Sequence, residues 1–218
     1  MAADFAELRI RMVDGQLRTT DVFNSPILDA MRSLPRENFV DEKRRPLAYL
    51  DEDIEIAPGR YLMEPSPFAK LLQLAEITPS DRVLDVGTGT GYSAAVLSRL
   101  AASVVALESD AALAARAKEA LAATASGNVE VVTGALTAGH PVARGYDVII
   151  VEGAVETLPE SLTAQLAEGG RLVAVDGPGN AGVARLYLNV GGVITSRRAF
   201  NAALKPLPGF ERTPAFEF

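Results

Sequence analysis

The chain has no cysteine and a single histidine, His140, among its 218 residues. Without cysteine it cannot form disulfides, cysteine zinc sites, iron–sulfur clusters or a thiol nucleophile. One histidine also excludes a multi-histidine metal centre and disfavours a serine–histidine triad. We therefore predict no metal site, and any catalysis must depend on positioning or on a bound cofactor.

Basic residues are the minority: 21 Lys and Arg against 28 Asp and Glu give a formal charge of −7. This balance disfavours nucleic acid as a partner, because such binding depends mainly on neutralising phosphates. The apolar runs are far shorter than the ~20 residues that a membrane span requires, and the first residues lack the apolar stretch of a secretory signal. We expect a cytoplasmic protein without a membrane partner.

The chain is long enough for one large α/β domain, which we predict over residues 1–218. Residues 1–75 indicate a helical cap and an irregular substrate loop, with Ser25 as a helix cap and 46–67 mostly loop. Residues 76–181 alternate short β-rich runs with Ala-rich helical runs, which is typical of βαβ units and a parallel sheet. Residues 182–218 indicate antiparallel strands at one edge of that sheet. The predicted elements of the middle zone are strands at 82–86, 103–107, 129–132, 147–151 and 171–175, and helices at 91–100, 111–123 and 159–166.

The most informative segment is VLDVGTGTGYSAAVL, residues 83–97, in which a predicted strand leads into three glycines and then a helix. Glycines allow a tight turn whose backbone N–H groups approach a ligand. Dinucleotide-binding proteins carry Gly-x-Gly-x-x-Gly, which would require glycine where this chain has Tyr92. The spacing of Asp85, Gly87, Gly89 and Gly91 instead resembles motif I of Rossmann-like S-adenosylmethionine (SAM) methyltransferases.

A second signal is Glu108, which ends the next predicted strand 23 residues after Asp85. A carboxylate at this place can accept hydrogen bonds from both ribose hydroxyls of a nucleoside. The alternatives are a glycine-rich turn without a ligand and a solvent-facing Glu108. The strand, turn, helix and distal acid together favour the cofactor site.

The chain as a whole resembles the protein-L-isoaspartate O-methyltransferase family. Three stretches carry the resemblance: ILDAMRSLPRENFVDEKRRPLAYLDEDIEI at 27–56, GYDVIIVEGAVETLPESLTAQLAEGGRLVAVDG at 145–177 and ALKPLPG at 203–209. It implies a Rossmann-like SAM methyltransferase fold: a mostly parallel sheet, helices on both faces, an N-terminal helical cap and C-terminal antiparallel edge strands. It also implies SAM as cofactor, S-adenosyl-L-homocysteine (SAH) as product, and isoaspartyl residues of damaged proteins or peptides as substrate.

The same resemblance supplies candidate site residues. Those for the cofactor are Asp85, Gly87, Thr88, Gly89, Gly91, Glu108, Ser109, Gly134, Ala135, Leu136 and Glu152. Those for the substrate are Gly59, Met63 and Pro65. No residue is identified as catalytic, since an acceptor carboxylate is ionised at pH 7 and needs no general base.

The chain departs from the family pattern at three of these positions. Met63 stands where the family has a serine hydroxyl for the substrate, and a thioether offers no donor. Ala135 replaces the aspartate that contacts the adenine amino group, and Glu152 stands where small residues are commoner. Two alternatives therefore stay open: a methyltransferase of the same fold that acts on a small molecule or RNA, and a SAM- or SAH-binding protein without turnover. The sequence makes no prediction of oligomeric state.

Overall fold

The computed structural model describes residues 4–177, 179 and 181–212. Its helices are α1 (Phe5–Met12), α2 (Ser25–Ser33), α3 (Pro65–Ala75), α4 (Tyr92–Leu97), α5 (Ala111–Ala123) and α6 (Glu160–Thr163). Its strands are β1 (Ile54–Ala57), β2 (Arg60–Leu62), β3 (Arg82–Val86), β4 (Ser103–Glu108), β5 (Val129–Thr133), β6 (Tyr146–Val155), β7 (Leu166–Asp176), β8 (Val183–Val190) and β9 (Val193–Asn201).

A seven-stranded sheet in the order β5-β4-β3-β6-β7-β8-β9 forms the centre of the molecule. The five strands β3 to β7 pair in parallel with one another. Strands β8 and β9 extend the sheet as antiparallel strands. Buried Val, Ile and Leu fill β3 and β6 because the sheet is covered on both faces. The predicted fold class, a mostly parallel sheet with antiparallel C-terminal edge strands, is confirmed.

The two faces are covered differently. One face packs against α1 to α5 in the larger apolar core. The other face packs against α6, a short 3-10 turn at Leu136–Ala138 and a C-terminal segment that carries Leu207 and Phe210. The helix predicted at 159–166 is only the single turn α6, because β7 already begins at Leu166.

The segment 46–67 differs most from its prediction as a loop, because β1 and β2 form a short antiparallel hairpin there. Gly59 in its turn has a φ of 69°, a conformation that favours glycine. Ile54, Ile56 and Leu62 are buried and anchor the hairpin against the large core. The cap of α2 also differs by one residue, since Asn24 rather than Ser25 accepts the N–H of Ile27.

The strand order reverses direction between β3 and β6. The chain passes from β3 to β4 and β5 on one side, then returns to β6 on the other. Ligands of open α/β sheets bind in the crevice at the carboxyl ends of strands at such a switch point. Asp85 lies opposite Ile150 and Val86 opposite Val151, so the glycine turn after β3 adjoins Glu152 of β6. In the described part of the chain, no helix has the length and apolar character needed to cross a membrane.

Candidate functional site

The glycine turn after β3 has backbone angles that few other residues adopt. Gly87, Gly89 and Gly91 have φ values of 86°, 58° and 92°. A Cβ built on Gly89 would lie 2.6 Å from Ile56 Cδ1, and one on Gly91 3.1 Å from Ala117 Cβ. Gly89 therefore allows the β1–β2 hairpin to lie directly on the turn, and Gly91 allows α4 to lie close to α5.

Glu108, at the end of β4, is fully buried rather than solvent-facing. Its carboxylate accepts the backbone N–H of Gly89 at 2.8 Å, of Ser109 at 2.8 Å and of Asp110 at 3.0 Å. These bonds fix the carboxylate beside the glycine turn, as the spacing from Asp85 predicts. Its binding of ribose remains a prediction.

The carboxylate of Glu108 is paired with Arg60 on β2, a partner that no motif in the sequence indicates. Both terminal guanidinium nitrogens contact the carboxylate, with Nη2 2.7 Å from Oε2, and Nη2 also donates to the Gly87 carbonyl at 3.1 Å. The arginine side chain is 7% exposed and the glutamate side chain 0%. Because 48 residues separate the two, only the hairpin that was predicted as loop brings them together.

Asp85 and Glu152 form a second acidic group, at the ends of β3 and β6. Asp85 accepts the Ser93 hydroxyl at 2.7 Å, and burial raises its pKa to about 6. Burial, with the neighbouring Asp85 carboxyl, raises the pKa of Glu152 well above its usual value. Ionisation of both carboxyls at once is disfavoured, because like charges repel and burial leaves neither group well solvated.

The substrate-loop residues Gly59, Met63 and Pro65 lie in the hairpin turn, after β2 and at the start of α3. The Met63 side chain is buried, and its carbonyl accepts Arg36 Nη2 at 2.6 Å. Ser66 is the nearest serine along the chain, but it donates to Asp51 at 2.8 Å. Ser66 is thereby held away from the place of the missing family serine.

Of the remaining predicted cofactor residues, Gly134, Ala135 and Leu136 follow β5, and Thr88 lies within the glycine turn. The N–H of Gly134 donates to the Glu108 carbonyl at 3.0 Å, and Leu136 is buried under the sheet. Ala135 precedes the 3-10 turn and has no side-chain acceptor. Thr88 is buried 3.3 Å from the Ser93 hydroxyl.

The hairpin and the C-terminal segment close over these residues. A cavity of about 10 Å³ remains, enough for about one water molecule. Its walls include Arg36, Ile56, Met63, Gly87, Tyr92 and Glu152. Pockets for small ligands usually measure ~300–1,000 Å³. A nucleoside can enter only if the Arg60 and Ile56 side chains move away from Glu108 and Gly89.

Comparison with known proteins gives a consistent family. The model of the protein-L-isoaspartate(D-aspartate) O-methyltransferase family matches residues 11–196. A protein-L-isoaspartate O-methyltransferase of Koribacter versatilis is 44% identical over 78% of this chain and 76% of its own length. One from Rhodopseudomonas palustris is 42% identical over 79% and 70%.

Solved structures give the same result for the fold. A protein-L-isoaspartate O-methyltransferase superposes with a TM-score of 0.80 at 26% identity, over 92% of this chain and 66% of its own. A Plasmodium falciparum structure assigned to the same family, in complex with SAH, superposes with a TM-score of 0.78 over 94% of this chain and 99% of its own. At 20% identity the latter supports the fold alone.

Proposed function

Because the chain belongs to the protein-L-isoaspartate(D-aspartate) O-methyltransferase family, we propose that it transfers a methyl group from SAM to the carboxylate of isoaspartyl residues in proteins or peptides. The observation that carries the proposal is the buried Glu108 held against the glycine turn at the switch point of the sheet. This pairing of a fixed carboxylate with a glycine turn at Gly87 and Gly89, where backbone can approach a ligand closely, suits a nucleoside.

The residues present fit the cofactor in most respects. Glu108 has the position and hydrogen-bonding capacity to accept two ribose hydroxyls once Arg60 has left it. One oxygen of Asp85 and one of Glu152 are buried without a hydrogen-bond partner in the described part of the chain, which suits a ligand with donor groups. Ala135 gives no acceptor for an adenine amino group, so the adenine is held without that contact.

When bound, SAM supplies an electrophilic methyl group on a sulfonium. The acceptor oxygen of an isoaspartyl carboxylate is already ionised at pH 7 and needs no base from the chain. The protein's part is to hold that oxygen in line with the methyl group and to exclude water. Such alignment corresponds to effective molarities of ~10⁵–10⁸ M. The absence of thiols and of a second histidine is compatible with this chemistry.

Binding of SAM or SAH without turnover is the second candidate function. It is favoured by the buried Arg60–Glu108 ion pair, which competes with the ribose, and by the thioether at Met63. A methyltransferase with another acceptor, such as a small molecule or RNA, is also compatible with Met63.

One assay tests the proposed function against both alternatives. The protein is incubated with SAM labelled on the methyl group and either an isoaspartyl peptide or the same peptide with normal aspartate. We expect label on the isoaspartyl peptide only. Glu108→Gln should strongly reduce the transfer, whereas Glu130→Gln on the edge strand β5 should leave it unchanged. Binding of SAH by calorimetry without label on either peptide would contradict the proposed function and leave binding without turnover or another acceptor.

A further inference from the structure

Arg36 carries a fully buried guanidinium that forms no ion pair with the described residues. Its Nε donates to the Ala48 carbonyl at 2.7 Å and Nη2 to the Met63 carbonyl at 2.6 Å. Its third nitrogen, Nη1, is buried without a hydrogen-bond partner. Burying an unpaired charge is unfavourable, and two neutral carbonyls do not neutralise it. The guanidinium therefore has both an unused donor and an unbalanced charge.

Arg36 lines the cavity next to a second group that can donate a hydrogen bond, the Tyr92 hydroxyl. Its guanidinium carbon lies 4.7 Å from the centre of the Tyr92 ring, and the Tyr92 hydroxyl is buried without a partner. Glu152 lines the same cavity, and burial together with the neighbouring Asp85 raises its pKa, which disfavours a negative charge on this carboxyl.

The charged groups around the cavity leave room for one added negative charge. Asp53 and Glu152 are near enough to act on Arg36, and Asp85 acts on Glu152, yet neither Asp53 nor Glu152 reaches ion-pair distance of the guanidinium. Lys205 lines an adjoining cavity with Asp53 and Glu152. An anion bound beside Arg36 would have donors on several sides and the buried positive charge as its partner.

We propose that Arg36, with the Tyr92 hydroxyl, binds the acceptor carboxylate of the substrate. This proposal rests on the proposed function, and it deepens that function by naming what replaces the hydroxyl absent at Met63. The Met63 side chain lines the same cavity, and its flexible thioether can move aside when the hairpin opens. A neutral acceptor would leave the buried guanidinium unpaired, so the subsite selects acceptors that carry a carboxylate.

The test is a binding cycle on the complex with SAH, in which no methyl transfer can occur. Calorimetry measures the affinity of an isoaspartyl peptide and of its methyl ester, for the wild type and for Arg36→Met. We expect the wild type to bind the acid at least tenfold more tightly than the ester. Arg36→Met should bind the two equally, having lost affinity only for the acid. Arg9→Met, which removes another partly buried arginine of the cap that pairs with Glu37, should keep the preference.

Two further variants test the proposal independently in case Arg36→Met does not fold. Tyr92→Phe keeps the ring on which Arg36 lies and should reduce the acid preference severalfold, and Arg36→Lys should retain part of it. Equal loss of affinity for acid and ester would assign Arg36 a structural role and overturn the proposal.

The proposed function fails separately. If the wild type neither methylates nor binds the isoaspartyl peptide, the proposed function is wrong, and so is the carboxylate subsite at Arg36. If the wild type methylates the peptide and Arg36→Met keeps the full preference for the acid, only the subsite is wrong.

Discussion

Replacing Arg60 with alanine should weaken the folded protein and strengthen cofactor binding at the same time. The guanidinium of Arg60 is paired with the Glu108 carboxylate, which the ribose hydroxyls would need as their acceptor. The wild type must therefore break this ion pair before SAM binds. The alanine variant has no such pair to break. The buried Glu108 is then without its cationic partner until ribose hydroxyls reach it.

The size of both effects follows from the burial of the pair. Removing one partner of a buried ion pair destabilises by ~3–5 kcal/mol. Glu108 keeps its three backbone N–H donors, which favours the lower end, about 3 kcal/mol. For a chain of this length each kcal/mol shifts the melting temperature by ~2–4 °C, so we expect a fall of roughly 6–12 °C. The same 3 kcal/mol bounds the gain in SAM affinity at about 100-fold, and we expect about 10- to 100-fold.

Thermal melting without ligand and calorimetric titration with SAM measure the two quantities. Arg171→Ala is a matched control, because it breaks a partly buried ion pair with Asp81 at the amino ends of the strands, away from the site. It should lower the melting temperature without changing SAM affinity. If Arg60→Ala binds SAM as weakly as the wild type, or more weakly, Arg60 does not compete with the cofactor and the reasoning is refuted.

Three further results are expected. Glu108→Gln should weaken SAM binding at least tenfold, as measured by calorimetry. It should also lower the melting temperature, since it leaves Arg60 buried without its anion. An unchanged SAM affinity would exclude Glu108 from the cofactor site. Met63→Ser should raise the turnover of the isoaspartyl peptide in the labelled-SAM assay. Adding Ala135→Asp should increase the affinity for SAM. If neither change gives a gain, neither departure from the family pattern limits the reaction. Burial and nearby carboxylates, Asp53 first among them, raise the pKa of Glu64 to about 7, so its contribution to stability is present below pH 4.5 and is lost as the pH rises through 7. Denaturant titrations at pH 5 and pH 8 should therefore show a smaller loss of stability for Glu64→Gln than for the wild type, and an equal loss would contradict that shift.

Local patterns in the sequence predicted the scaffold well. The strand at 82–86 and the helix at 111–123 have the predicted bounds, because apolar spacing and flanking turns are properties of residues that are neighbours in the chain. The glycine turn after β3 and the acid 23 residues later could also be found, since both belong to one βαβ unit. The helix at 159–166 was overestimated, because pairing of Leu166 with Tyr146 at the start of β6 overrides its helical pattern.

The chemistry of the site depended on contacts that no local pattern contains. Arg60 reaches Glu108 across 48 residues, and Arg36 reaches Met63 across 27. A lone arginine in a loop-like stretch is most often solvated, and only the packing of the hairpin on Gly89 buries Arg60. The sequence by itself determined which segments form strands and helices and where the glycine turn lies, since each element is specified by its own periodicity. Tertiary structure alone decided which charges are paired, shared or left unpaired in the closed site, because burial and ion pairing are set by distant segments packing over the ends of the strands.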